Sequence, residues 1–158
     1  MNETNGMQEA KTIDFLMNLS LFDGLKANEL RTLSGYMNFI EMDKDEVLFR
    51  EGDQGDCVCF IVEGRLDVLK QSASGEHNVL ATLSRGRPIG EMSVIDDFPR
   101  SATVRACKAA KLITLTRKDF ELILEEKPLI GIKILKKMAR LLSLNLRKTS
   151  SQLVDLIL

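Results

Sequence analysis

Residues 89–104 read Ile89-Gly90-Glu91-Met92-Ser93-Val94-Ile95, then Asp96-Asp97-Phe98-Pro99, then Arg100-Ser101-Ala102-Thr103-Val104. The segment interrupts a series of short β-prone runs and combines what an anionic sugar phosphate needs. Gly90 permits a turn and takes a side chain out of a ligand's path. A short helix over residues 91–95 would aim free backbone N–H groups at an anion. Arg100 supplies a forked, permanently charged donor for phosphate oxygens, and Glu91 can accept from a sugar hydroxyl. On these residues alone two roles stay open: an anion site, or an ordinary turn with a surface salt bridge.

Upstream, β-prone runs fall at residues 39–42, 46–49, 57–62, 65–70 and 78–83; downstream, at 101–106 and 111–116. They are separated by Asp43-Lys44-Asp45, residues 51–56, Glu63-Gly64 and residues 72–76, where Gly and Asp tolerate the positive φ of tight turns. Turns so closely spaced predict a compact antiparallel β-roll of the jelly-roll kind. Helices flank it. Ile13, Leu16, Met17 and Leu19, then Leu25, Leu30 and Leu33, recur at helical spacing and predict two short helices in 12–37, joined at Asp23-Gly24. A short helix opens at Arg117 and stops near Pro128, and a long one runs from about 129. Its stripe of Ile134, Leu135, Met138, Leu141, Leu142, Leu153 and Leu156 is broken by Asn145 and Thr149. The expected fold is α+β, mainly β: one domain over 1–158, with helices in 12–37, a roll over 38–116 containing the 89–104 segment, and helices over 117–158.

Composition sets bounds on function. At 158 residues and 44% hydrophobic the chain can bury one core. Its 22 basic against 23 acidic residues, net −1, give no diffuse pull on nucleic acid or anionic lipid, so anion recognition must be local. The polar residues 1–11 lack a signal peptide's apolar core, and no apolar run approaches the ~20 residues of a membrane span. A cytoplasmic protein without membrane contact is expected. Cys57, Cys59 and Cys107 form an odd set, and the first two point the same way on a strand, which fits reduced, small apolar residues. The single histidine, His77, sits in a polar turn. Zinc and histidine-base chemistry lose their usual ligands, so no metal site, no catalytic residue and no enzymatic activity are expected.

Taken together, the 89–104 segment resembles in full the phosphate-binding cassette of the cyclic nucleotide-binding domain family. Leu21-Phe22-Asp23-Gly24-Leu25 with Glu29-Leu30 resembles that family's helical entry. Residues 51–64 resemble its glycine-punctuated central strands, and the helix after Pro128 is similar to the long C-terminal helix of the bacterial catabolite activator branch. The resemblance implies a cAMP or cGMP ligand, with Glu91 on the ribose 2′-hydroxyl and Arg100 on the exocyclic phosphate oxygens. The amides near Met92, Ser93 and Ala102 would hold the remaining phosphate oxygens, and Leu80 and Ile89 would line the pocket. Ser101, after the cassette arginine, resembles both bacterial cAMP receptors and cGMP-preferring kinase domains, so base choice stays open. Asn145 falls where the activators place a residue that reaches the base; it is equally readable as a polar break that sets register between two helices.

Met92 stands where leucine is usual, Pro88 precedes the cassette and Cys59 replaces a common aromatic. None of these departures removes a ligand-binding group. The implied output is a shift between open and closed arrangements of the C-terminal helix. A homodimer through Leu153, Leu156 and Ile157 is expected, and with the sequence ending at Leu158 no helix-turn-helix DNA reader is expected. The competing expectation is a degenerate domain that kept the fold and serves only dimerisation or protein interaction.

Overall fold

Strands form where β-branched and aliphatic residues cluster between turns, and the computed structural model describes residues 2–157 of the chain. Met1 and Leu158, the ends of the expected 1–158 domain, lie outside the described residues. The chain divides into a β unit, residues 35–122, and a helical unit made of residues up to 34 and from 123 onward.

The β unit contains β1 (Asn38–Met42), β2 (Val47–Phe49), β3 (Cys57–Glu63), β4 (Leu66–Gln71), β5 (His77–Leu83), β6 (Pro88–Ile89), β7 (Thr103–Ala106) and β8 (Ala110–Thr116). All pair antiparallel, in two four-stranded sheets ordered β1-β8-β3-β6 and β2-β7-β4-β5. The expected roll is therefore present. Cys59, Ile61, Leu66, Val104, Ala106 and Leu112 form a core shared by the two sheets. In β3 the run Val58-Cys59-Phe60-Ile61 is buried on both faces, hence its continuous apolar character instead of alternation. The two-residue β6 was not expected, because Pro88 cannot donate to a ladder and usually argues against a strand; here it opens the strand, where that donor is dispensable.

In the helical unit, α1 (Asn2–Met17) starts about ten residues before the expected helix. Apolar periodicity detects only a buried stripe, and the stretch preceding Thr12 has none, so its helix formers gave no signal. A 3-10 turn at Ser20–Phe22 precedes α2 (Ala27–Ser34). Glu29 in the first turn of α2 accepts from the Lys26 N–H at 2.8 Å, half of a capping box. It also accepts from Lys133 Nζ at 2.8 Å on α4 (Pro128–Ile157), which begins at Pro128 as proline at a first helical position should. Between α2 and α4 lies, in sequence, α3 (Arg117–Glu126), which spans the boundary of the two units.

The Lys133 hydrogen bond, then the Lys26 N–H, hold the Glu29 carboxyl below its usual range. A depressed carboxylate stabilises above its unfolded pKa and loses that contribution as pH falls through its folded one. The Glu29–Lys133 coupling, read by a Glu29→Gln, Lys133→Ala double-mutant cycle, is expected to be at most about 1 kcal/mol at pH 7 and to vanish in acid.

Candidate functional site

The loop and 3-10 turn between β6 and β7 build a pocket of about 470 Å³, within the range of small-molecule sites. Gly90 adopts a left-handed conformation, φ +74°, and leads a 3-10 turn over Glu91–Val94. A Cβ there would lie 1.9 Å from Arg100 Nη1 and 3.2 Å from the Cys57 carbonyl oxygen, so glycine is required by space as well as by φ. The Ser93 N–H returns to the Gly90 carbonyl at 3.0 Å, while a helix's leading N–H groups, here those of Glu91 and Met92, have no partner within the turn.

Arg100 is 7% exposed. Its Nη1 donates to Ser93 Oγ at 2.9 Å, and its Nη2 to the Cys57 carbonyl at 2.8 Å and toward Cys57 Sγ at 3.5 Å. The guanidinium lies 3.9 Å from the centre of the Phe49 ring. Its Nε is buried with no partner, and among the described residues no carboxylate pairs with it. A permanent cation held in this way costs several kcal/mol unless an anion joins it. Glu91, half-buried on the same pocket wall, likewise has no hydrogen-bond or ion-pair partner among the described residues.

The pocket brings together Ile89, Gly90, Glu91, Met92, Ser93, Arg100, Ser101 and Ala102, all expected from the sequence. Phe49, Val68 and Val104 supply apolar wall from neighbouring strands. Leu80 is not among the lining residues. The β4–β5 register shifts so that Val68 faces Ala81 and Leu69 faces Val79, leaving Leu80 unpaired and 63% exposed on the edge strand. Asn145 is exposed on α4 in the helical unit and is not among the lining residues either.

Two supports of the site were missed from the sequence. Gly55 is buried where a Cβ would sit 2.4 Å from Ser93 Oγ and 3.3 Å from Arg100 Nε. Arg117, the first residue of α3, donates to the carbonyls of Ser93 at 2.8 Å, Gly55 at 2.5 Å and Asp96 at 2.5 Å, and pairs with the Asp97 carboxylate. It ties the C-terminal end of the 3-10 turn to the linker beyond and to Gly55. The available signal was an arginine in a helix's first turn, where the dipole disfavours a cation unless other acceptors hold it.

Comparison with known proteins agrees with this geometry. The family profile described as cyclic nucleotide-binding domain matches residues 39–127. A cAMP-dependent protein kinase regulatory subunit of Mycosarcoma maydis is 34% identical over 135 residues, which are 82% of this chain and 25% of that protein. Among solved structures, a cyclic nucleotide-binding domain from Methylobacillus flagellatus superposes with TM-score 0.78 and 28% identity over 94% of this chain and 83% of that one. The N-terminal domain of a transcriptional regulator from Streptomyces coelicolor gives 0.77 and 31% over 88% and 94%. The chain spans a quarter of the length of its fungal relative. A glycine-led turn over a buried, unpaired arginine, a profile match across the roll and a relative above 30% identity converge: the chain belongs to the cyclic nucleotide-binding domain family.

Proposed function

We propose that this chain is a regulatory module that binds cAMP or cGMP in the pocket of residues 89–104 and carries the binding event to a partner through α4. The observation that carries this reading is Arg100, a buried guanidinium facing a ligand-sized pocket with one donor unsatisfied and no carboxylate beside it. A cyclic phosphate supplies the missing anion, taken up by Arg100 and by the amides of Glu91, Met92 and Ala102; the Ser93 N–H expected among them already donates to the Gly90 carbonyl. Glu91, with no other partner, accepts from the ribose 2′-hydroxyl. Ile89 and Val68 flank the ligand's apolar side, and Ser101 adds a hydroxyl on the wall. Leu80 and Asn145 take part only if the ligand recruits them. The similarity to a fungal cAMP-dependent protein kinase regulatory subunit supports cAMP.

The chemistry required is binding alone, so the module is proposed to be non-catalytic; no cluster of three or more metal-ligating side chains occurs among the described residues. No helix among them is long and apolar enough to cross a membrane; a cytoplasmic location is proposed from the likeness to a protein kinase regulatory subunit. Leu153, Leu156 and Ile157 are 58%, 83% and 74% exposed on α4, which supports a homodimer through that helix. Recognition of DNA by this chain is not proposed.

Thermal unfolding tests the binding step. Ligand at ~100 times its dissociation constant adds about 2.7 kcal/mol, so cAMP or cGMP is expected to raise Tm by roughly 5–10 °C while linear 5′-AMP does not. No rise with either cyclic nucleotide would transfer the module to the ligand-free dimerisation reading. The Arg117 clamp gives a second expectation: Arg117→Ala loosens the turn that presents the amides and weakens cyclic nucleotide binding about tenfold, near 1.4 kcal/mol. Isothermal titration checks it, with Arg117→Lys recovering part of the loss.

A further inference from the structure

The pocket arginine has a second neighbour that the cassette does not explain. Cys57 and Cys59 face the same side of β3 with their sulfurs 3.8 Å apart, and Cys57 Sγ lies 3.5 Å from Arg100 Nη2. Cys59 is fully buried, whereas Cys57 is only half-buried. All three cysteines are free, and Cys107, also half-buried, has its thiol directed to the Arg65 carbonyl at 3.4 Å. Cys57 therefore differs from Cys107 in having a guanidinium and a second thiol beside it.

We propose that Cys57 is a site of oxidation by hydroperoxides, and that its sulfenate competes with the ligand phosphate for Arg100. The competition half rests on the nucleotide-binding function proposed above; the oxidation half does not. The Cys59 thiol, by hydrogen bonding, and then the Arg100 charge hold the Cys57 thiol below its usual range against the opposing effect of burial. The same contact and burial push Cys59 up, so it remains the protonated donor. The thiolate is the nucleophile toward peroxide, and its oxidation follows thiolate character and access.

In the reaction the Cys57 sulfur attacks one peroxide oxygen. The thiol proton has gone to solvent beforehand; an S–O bond forms as the O–O bond breaks, the leaving hydroxide or alkoxide takes the proton of the transferred hydroxyl, and water or an alcohol departs, leaving the sulfenate anion. Sulfur loses two electrons and the peroxide gains them. The product's oxygen is an anion next to the guanidinium that has none, so it occupies part of the charge a phosphate would use. Condensation with Cys59 is disfavoured by geometry. Two residues along an extended strand separate their Cα atoms by about 6.6 Å, at the upper edge of what a disulfide spans.

The test treats the reduced full chain with hydrogen peroxide, traps sulfenic acid with dimedone, maps the adducts by mass spectrometry, and titrates cAMP and cGMP before and after oxidation. Cys57 is expected to label roughly tenfold faster than Cys107, a difference that Arg100→Ala narrows and that Arg100→Ala combined with Cys59→Ala abolishes. Oxidation is expected to weaken nucleotide binding by roughly tenfold or more in the wild type and to leave Cys57→Ser unaffected. Labelling of Cys107 at least as fast as Cys57, a Cys57–Cys59 disulfide in place of the adduct, or unchanged affinity after Cys57 is oxidised would each overturn the proposal. If the reduced protein binds neither nucleotide, the functional proposal has failed by itself. The labelling rates of Cys57, Cys107 and the Arg100→Ala variant then still decide whether Cys57 is an oxidation site.

Discussion

Arg100→Ala is expected to weaken cyclic nucleotide binding by about 2–5 kcal/mol, between thirtyfold and several thousandfold, while leaving the unliganded protein no less stable. Loss of affinity and retention of stability come from the same fact. The guanidinium is buried and donates to Ser93 and Cys57, but it has no carboxylate and leaves Nε unsatisfied. Without ligand its burial is only partly offset, so deleting it removes a desolvation cost together with two hydrogen bonds. With ligand, the same deletion leaves a phosphate facing amides alone. Arg100→Lys keeps the charge and loses the fork, and falls between the two. Titration calorimetry on the ligand and thermal unfolding without it separate the effects. A variant that unfolds several degrees lower and still binds normally would mean that Arg100 serves the fold instead of the ligand.

Gly64→Ala is expected to have the largest effect on stability, lowering it by about 2–5 kcal/mol. Gly64 links β3 to β4 at φ +90°, and a Cβ there would lie 2.3 Å from the Ala109 carbonyl oxygen and 2.7 Å from the Ala110 Cα. The left-handed backbone costs a side-chain-bearing residue about 1–2 kcal/mol. Displacing the strand backbone opposite adds about 1–3 kcal/mol, because the obstacle is main chain entering β8 and cannot rotate away. The expected fall in Tm is roughly 5–15 °C. Gly52→Ala is the control: its φ of +89° is similar, but a Cβ there meets nothing within 4 Å, so only the conformational cost applies. Equal destabilisation by the two substitutions would remove the steric part of the account.

The roll was legible because its strands are short aliphatic runs bounded by Gly and Asp turns, each signal being local. The expected run at 57–62 became Cys57–Glu63 and that at 111–116 became Ala110–Thr116. The candidate site was legible for a similar reason: Gly90, Glu91 and Arg100 lie within one short segment and line one pocket, while the roles proposed for them rest on the family resemblance. What escaped depends on long-range placement. Gly55 and Arg117 reach the site from segments 38 and 17 residues away from Ser93 and Arg100, respectively, and only the folded chain brings their contacts about. Leu80 was assigned to the pocket by the family resemblance, and the bulge in β5 leaves it among exposed residues, a displacement that no pattern in its own strand announces. From the sequence the Cys57–Cys59 pair reads as reduced, small apolar residues, since nothing there sets the guanidinium of Arg100 beside it.

The most direct test of the central claim is an equilibrium titration of the reduced protein with cAMP and with cGMP, using linear 5′-AMP and inorganic phosphate as competitors. Saturable binding of at least one cyclic nucleotide, one per chain, resistant to both competitors and lost in Arg100→Ala, is the predicted result. Binding of neither cyclic nucleotide, or binding that survives Arg100→Ala, would contradict it.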